Sequence, residues 1–137
     1  MLKEMSDWNR QIIEEFRSNG GKVGGSFKGA PLLLLTTTGA KSGIVRTTPV
    51  MYLPDGKRIV IFVSKAGAPT NPAWYHNLIA NPKATIEVGT ETFEVTAVEV
   101  QGEECDQLYA KQASLYPGFA EYEAKTTRKI PVIVLQR

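Results

Sequence analysis

From Leu32 to Leu135 the chain is dominated by short apolar or alternating runs, reversed by turns rich in glycine and proline. That pattern constrains the fold more than any other feature. The clearest pair is Lys83–Val88 and Glu91–Val100, facing each other across Gly89-Thr90. In its second arm Phe93, Val95 and Ala97 share one face and Glu94, Thr96 and Val98 the other, the two-residue period of a half-buried strand. Upstream, Pro31 opens the run Leu32–Thr37, and a turn at Gly39–Gly43 leads into Val45–Leu53. Pro54-Asp55-Gly56 reads as a tight turn, because Pro presets φ and Gly accepts a positive one. Arg58–Val63 and, at the end, Ile130–Leu135 complete a set of six. Strands joined by short turns pair antiparallel, and no strand–helix alternation appears. A dinucleotide fold is disfavoured, and no G-x-G-x-x-G run is present. The expected class is α+β, mainly β: an antiparallel barrel of about six strands with peripheral helices.

Ser6 and Asp7 can cap a first helix that runs to about Asn19 and stops at Gly20-Gly21. Trp8, Ile12, Ile13 and Phe16 fall on one face of it. That face either packs on the barrel or touches a membrane, which would bring the chain to the inner face of the cell membrane. The loop through Gly24, Gly25 and Gly29 is flexible by composition. Asn71-Pro72 reads as N-cap and first residue of a short helix ending near Asn81-Pro82. Helical pattern returns from about Glu103 to Leu115, breaks at Pro117-Gly118 and resumes over Glu121–Lys125.

With 137 residues, 42% of them hydrophobic, the chain can bury one continuous core without metal or disulfide. One domain spanning 1–137 is expected, residues 1–20 forming its N-terminal helix. The net charge of +2 gives no reason to expect nucleic acid as a partner. A single cysteine, Cys105, and a single histidine, His76, exclude an internal disulfide and a Cys/His zinc set. The lone thiol suits a reducing cytosol. The longest apolar run, Leu32–Leu35, is far too short to span a bilayer, and the N-terminus lacks a signal-peptide core.

Chemistry concentrates in Thr36–Pro49, TTTGAKSGIVRTTP. Gly39 and Gly43 permit a turn whose N–H groups converge on an anion, with Lys41, Ser42 and Arg46 adding donors and charge. A plain hairpin turn with solvated basic side chains is an equal alternative. Ser64-Lys65-Ala66-Gly67 is a second basic spot, expected at the same barrel end, or else a simple surface loop. The helix opening at Asn71-Pro72-Ala73-Trp74-Tyr75 offers N–H groups to an electron-rich ring, or else buries Trp74 in the core. Tyr116, Phe119 and Tyr122 recur every three residues and can line a planar substrate or simply pack. His76 has no partners for a triad and reads as structural or solvent-facing. Cys105 lies among Glu103, Glu104 and Asp106, which disfavour a thiolate. With no catalytic set of its own, the chain fits a role in which a cofactor carries the chemistry.

These residues resemble the deazaflavin-dependent nitroreductase family of actinobacteria, within the flavin-reductase-like split barrels of FMN-binding type. The resemblance rests on GAPLLLLTTTGAKSG with Arg46-Thr47-Thr48-Pro49, then YLPDG, SKAGAPTNPAWYHNL, ANPKA, YPGF and IPVIVL, in order along almost the whole chain. It implies a cofactor, coenzyme F420, an 8-hydroxy-5-deazaflavin with a phosphodiester and a polyglutamate tail. It also implies that Lys41, Ser42 and Arg46 hold the tail with Lys65 nearby, and that Pro49, Ser64, Ala66, Trp74 and Tyr75 surround the ring. Tyr116 and Tyr122 would contact the acceptor and assist its protonation, beside Met51, Ser64 and Phe119. Met51 and Phe119 stand where the best-known nitroimidazole-reducing member has tyrosines, which favours a quinone or enone acceptor over nitro prodrugs. A homodimer is a further expectation. The alternatives are a non-catalytic binder of deazaflavin or a lipid-like ligand, and an FMN-dependent split-barrel enzyme.

Overall fold

The computed structural model describes residues 7–21, 31–56, 58–63, 72–125 and 130–137, with side chains from residue 10 onward. In chain order these form α1 (Asp7–Ser18), β1 (Leu32–Thr38), β2 (Val45–Asp55), β3 (Arg58–Phe62), α2 (Ala73–Ala80), β4 (Lys83–Val88), β5 (Glu91–Val100), α3 (Gly102–Leu115), α4 (Gly118–Lys125) and β6 (Val132–Gln136). The strands close into one antiparallel barrel in the order β1-β2-β3-β6-β5-β4, with β4 returning to β1.

Among the boundaries that differ from the sequence reading, four bear on the fold. The β2–β3 ladder continues through Pro54↔Ile59 and Asp55↔Arg58, so Pro54 and Asp55 belong to the strand. The reversal begins at Gly56, whose φ of 63° a two-residue hairpin loop favours. At α2 the cap is Pro72 in extended conformation and the first helical residue is Ala73, one position later than expected. The last helix begins at Gly118, directly after the Pro117 break, and takes Phe119 into its first turn. The final strand starts at Val132, leaving Ile130 and Pro131 outside it.

The two-residue period divides the barrel wall into two faces. Leu33, Leu35, Val50, Ile61, Val63, Ala84, Ile86, Val95, Ile133 and Leu135 meet inside, joined by Leu78 of α2. Each fully buried Leu or Ile contributes roughly 1.5–3 kcal/mol relative to exposure. The alternate residues face outward under helices. Ile12, Ile13 and Phe16 of α1 cover Leu32 and Leu34. Cys105, Leu108 and Tyr109 of α3 and Phe119 of α4 cover Leu53, Val60, Phe62, Val132 and Val134. The apolar face of α1 is thus engaged by the barrel, which removes the basis for a membrane contact there; the Trp8 side chain lies outside the described residues. No helix among the described residues is long and apolar enough to cross a membrane.

Local contacts fix α1. Its end at Gly20-Gly21 is pressed against the β4–β5 turn, and a Cβ on Gly21 would lie 2.5 Å from the Cα of Gly89. Only glycine permits backbones to approach so closely. One turn earlier, Arg17 grips Glu87 through Nε at 3.0 Å and through its terminal nitrogen at 2.8 Å. This fork is solvent-exposed, so it steers α1 into place more than it stabilises the fold.

One buried group opposes stability. Gln112 on α3 is fully enclosed, and neither end of its amide has a hydrogen-bond partner among the described residues. Burying an amide without a partner costs about 1–3 kcal/mol. Gln112→Leu keeps the approximate volume and removes the polar atoms. Its midpoint in thermal denaturation is expected to rise by about 3–6 °C; a lower midpoint would show that the amide is engaged.

Candidate functional site

Gly39–Ile44 forms the whole reversal between β1 and β2. Gly39 N–H donates to the Ile44 carbonyl at 2.8 Å and Gly43 N–H to the Gly39 carbonyl at 3.0 Å. Ile44 N–H donates to Ser42 Oγ at 3.1 Å. Gly43 sits at φ 71°, which explains the glycine. The fourth N–H, that of Ala40, donates to Asn77 Oδ1 of α2 at 3.0 Å. The nest expected from the glycine spacing is therefore revised. These four N–H groups serve the turn and its tie to α2, so a nest could draw only on the N–H groups of Lys41 and Ser42.

Asn77 is the link. Its Nδ2 also donates to Thr37 Oγ1 at 3.2 Å, so one amide joins the turn, β1 and α2. Between turn and helix lies a groove of about 510 Å³, lined by Gly39, Ala40, Lys41, Ser42, Arg46, Ala73, His76 and Asn77. Three expected tail contacts, Lys41, Ser42 and Arg46, are brought together here, all exposed. No carboxylate lines the groove among the described residues. That donor set fits the anionic tail of a deazaflavin coenzyme.

Trp74 and Tyr75 do not line this groove. Both are half-buried against the inner barrel cluster, and α2 acts as the plug of the barrel end. The Tyr75 hydroxyl donates to Glu99 Oε1 at 2.8 Å. Burial, and then the hydrogen bond to a carboxylate, push the Tyr75 phenol up to about 12.

The outer wall of β2 leads away from the groove. Thr47, Pro49 and Met51 alternate outward along the strand, opposite Thr36, Leu34 and Leu32 of β1. Thr36 and Thr47 share a hydroxyl–hydroxyl hydrogen bond of 2.8 Å. Met51 packs against both the α1 cluster and the α3–α4 cluster, so it marks the seam between them. From Arg46 to Met51 the strand spans about 17 Å.

Beyond Met51 stand the late aromatics. Phe119 is buried, with ring centroids 5.3 Å from Tyr122 and 5.9 Å from Phe62. Tyr116 and Tyr122 are half-buried in the same cluster. Tyr109 Oη donates to the Phe119 carbonyl at 2.6 Å and fastens α4 to α3. The structure thus joins Met51, Tyr116, Phe119 and Tyr122 in one cluster. Ser64, Lys65 and Ala66 lie outside the described residues. The described part of the chain ends at Val63 in that region, on the strand that returns toward the Gly39 turn.

The sequence reading took His76 as structural or solvent-facing, missed Asn77, and saw Tyr109 only as one of the late aromatics. A signal existed for the first two. Ala73, His76, Asn77 and Ala80 repeat at i, i+3, i+4 and i+7, a small and polar face opposite Trp74 and Leu78.

With this geometry in place, comparison with known proteins is decisive. The sequence profile described as F420H(2)-dependent quinone reductase matches residues 8–137. This chain belongs to that family. The F420H(2)-dependent quinone reductase Rv1261c of Mycobacterium tuberculosis (strain ATCC 25618 / H37Rv) is 43% identical over 128 residues, covering 89% of this chain and 85% of that protein. A solved F420-H2 dependent reductase, FDR-A, superposes with a TM-score of 0.70 at 39% identity, over 77% of this chain and 94% of the other. A solved domain-swapped dimer gives 0.73 at 37% identity, over 95% of this chain and 98% of the other. The antiparallel six-strand barrel expected from the strand pattern is present, and the split-barrel class that the resemblance implied is that of the F420-dependent reductase neighbour.

Two predictions follow from the geometry of this family member. Asn77→Ala removes the strut and should cost about 1–2 kcal/mol of stability. Asn77→Asp keeps acceptors for Ala40 and Thr37 but places a negative charge in the groove. It should retain more stability than Asn77→Ala while binding an anionic coenzyme more weakly. Chemical denaturation and a fluorescence titration read the two effects separately; equal binding by the two variants would remove the groove from recognition. For Tyr75, the native phenol holds its proton more tightly than the unfolded one. Its contribution to stability is therefore complete below about pH 10 and lost as pH rises through about 12. Ultraviolet titration should show a late-ionising phenol that Tyr75→Phe removes; a titration unchanged by that substitution refutes the assignment.

Proposed function

We propose that the Gly39–Arg46 turn holds the anionic tail of reduced coenzyme F420, and that the outer face of β2 between α1 and α3–α4 holds the reacting partners. The chain is an F420-dependent oxidoreductase that transfers a hydride to a planar acceptor such as a quinone. The observation that carries the residue assignment is the groove lined by Lys41, Ser42, Arg46 and His76 without a carboxylate among the described residues. When bound, the reduced deazaflavin supplies the hydride from its ring carbon C5.

The residues of the chain supply position and environment. Lys41 and Arg46 neutralise phosphate and carboxylates at one end, with the Ser42 hydroxyl as a further donor. Pro49 and Met51 offer a flat, apolar wall that excludes water beside the ring; Ser64, Lys65 and Ala66, which the resemblance implies as further contacts, lie outside the described residues. Trp74 and Tyr75 act through α2, whose seating on the barrel fixes the groove. Tyr116 and Tyr122 hold the acceptor and give its oxygen a hydrogen bond as charge develops there, while Phe119 supplies a ring face only. Binding both reactants in one orientation accounts for most of the acceleration such a site can give. Met51 and Phe119 carry no hydroxyl, which favours quinones and activated enones over nitroimidazoles. We place the activity in the cytosol. Pairing into a homodimer is part of the same reading, supported by the domain-swapped relative.

The test is a double variant. Lys41→Ala with Arg46→Ala should weaken coenzyme binding by at least about tenfold, and the difference should shrink as salt screens the charges. Unchanged affinity refutes the tail site. Stopped-flow mixing of the reduced complex with menadione should show rapid oxidation of the coenzyme. Binding without turnover across a panel of quinones, enones and nitroaromatics would make the chain a carrier instead of an enzyme.

A further inference from the structure

We propose that Tyr109 is a positioning residue for the acceptor, acting through Tyr122: its hydroxyl and ring fix the first turn of α4 and so set where the Tyr122 hydroxyl stands. The inference rests on the reading that Tyr122 meets the acceptor, and adds a residue which that reading leaves out. Tyr109 is buried in the α3–α4 cluster and lies outside the coenzyme groove.

Between α3 and α4 only Tyr116 and Pro117 intervene. Hydrogen bonds close this short connection into a ring. Tyr116 N–H donates to the Gln112 carbonyl at 2.8 Å, and Phe119 N–H to the Tyr116 carbonyl at 3.0 Å. The Phe119 carbonyl then accepts from Tyr109 Oη at 2.6 Å, back on α3. The first two bonds are made by backbone alone, so most residues could form them. The third needs a side chain that reaches across ten positions of the chain with a donor at its tip. The stretch from Tyr116 to Phe119 is therefore fastened to α3 at both ends, and the fastening at Phe119 depends on the identity of residue 109.

Rings carry that placement outward. Tyr109 stands edge-on to Phe62 of β3, with centroids 5.7 Å apart, and so is seated on the barrel wall. It stands edge-on to Phe119 at 6.2 Å, and Phe119 stands edge-on to Tyr122 at 5.3 Å. Edge-to-face contacts are directional, so tilting one ring displaces the next. The Tyr122 hydroxyl returns to the same turn: a Cβ on Gly118 would lie 4.0 Å from Tyr122 Oη. Packing alone would be met by phenylalanine at 109, which brings no polar atom to satisfy. In an α-helix the Phe119 carbonyl already receives the N–H four residues on, so the Tyr109 bond adds to the helix and is not required to form it. What it adds is a fixed position. A hydroxyl that meets charge on a reacting oxygen has to be held within about 0.5 Å.

The full chain is compared with Tyr109→Phe, Tyr122→Phe, the double variant and Val60→Ala, which thins the same cluster from the barrel side. Coenzyme affinity is read by fluorescence titration, acceptor kinetics by menadione reduction at saturating reduced F420, and stability by thermal midpoint. Tyr109→Phe should bind the coenzyme as the wild type does, yet lose on the order of tenfold in kcat/KM for menadione. Tyr122→Phe should lose at least as much. In the Tyr122→Phe background, Tyr109→Phe should cost less than about twofold, because its effect runs through a hydroxyl already removed. Val60→Ala should melt at least as early as Tyr109→Phe while keeping kcat/KM within about twofold of wild type, which separates position from stability. Wild-type kinetics in Tyr109→Phe, full additivity in the double variant, or an equal loss in Val60→Ala overturns the inference and leaves the acceptor reading standing. Wild-type kinetics in Tyr122→Phe overturns the acceptor reading itself.

Discussion

The barrel depends on its shortest closing ladder. β1 meets β4 through Leu34↔Glu87, Leu35↔Ile86 and Thr36↔Thr85, residues some fifty positions apart in the chain. Without that seam the six strands would be an open sheet with two free edges and an unfilled interior. With it, Leu35 and Ile86 become part of one enclosed core, and both are completely buried. Entropy opposes a contact of such long range, so the flanking elements matter. Arg17 of α1 reaches Glu87 on the closing strand, and Asn77 of α2 reaches Thr37 on its partner. Helices on both sides hold the seam in register.

Closure also makes the site possible. A strand in a closed wall shows alternate residues to the inside and the outside, so β2 contributes to two environments at once. Val50 and Tyr52 belong to the inner cluster. Pro49 and Met51 lie outward, where α1 and the α3–α4 pair leave a seam. The turn that begins β2 carries the cations, and the strand itself sets the distance to the aromatics. On the proposed reading, a ligand with an anionic tail and a flat ring would be measured by the rise of that single strand.

Much of this was legible because it depends on local rules. The Lys83–Val100 hairpin appears with the boundaries read from alternation, and the Lys41–Ser42–Arg46 grouping follows from adjacency along the turn and the start of β2. What escaped depends on tertiary placement. Gly39 and Gly43 suggested an outward-facing nest, since either glycine allows it. Only the position of α2 shows that Ala40 N–H is claimed by Asn77. Pro54 was read as part of a turn because proline favours that position, yet the β2–β3 ladder carries it as a strand residue. Trp74 and Tyr75 were expected around the ring from the resemblance, with burial of Trp74 in the core as the alternative. Both prove half-buried against the inner cluster, which depends on the face α2 turns inward.

The chemistry explains why so few residues of the chain look catalytic. A hydride donor with its own electron pair needs no nucleophile, no metal and no general base from the protein. It needs to be held, screened from water and set against its acceptor. The described structure answers in kind. Charged groups sit at the exposed rim, where they can grip a tail and release it. Apolar and aromatic groups stand along the wall, where, on the proposed reading, a hydroxyl from Tyr116 or Tyr122 would meet the charge as it develops. Gln112 departs from that economy, as a buried amide on α3 one turn before Tyr116. A local rule broken beside a working site is where stability and function most often compete. If Gln112→Leu stabilises the fold while weakening turnover, the amide serves the acceptor end. If it stabilises without that loss, the amide is an unoptimised core position.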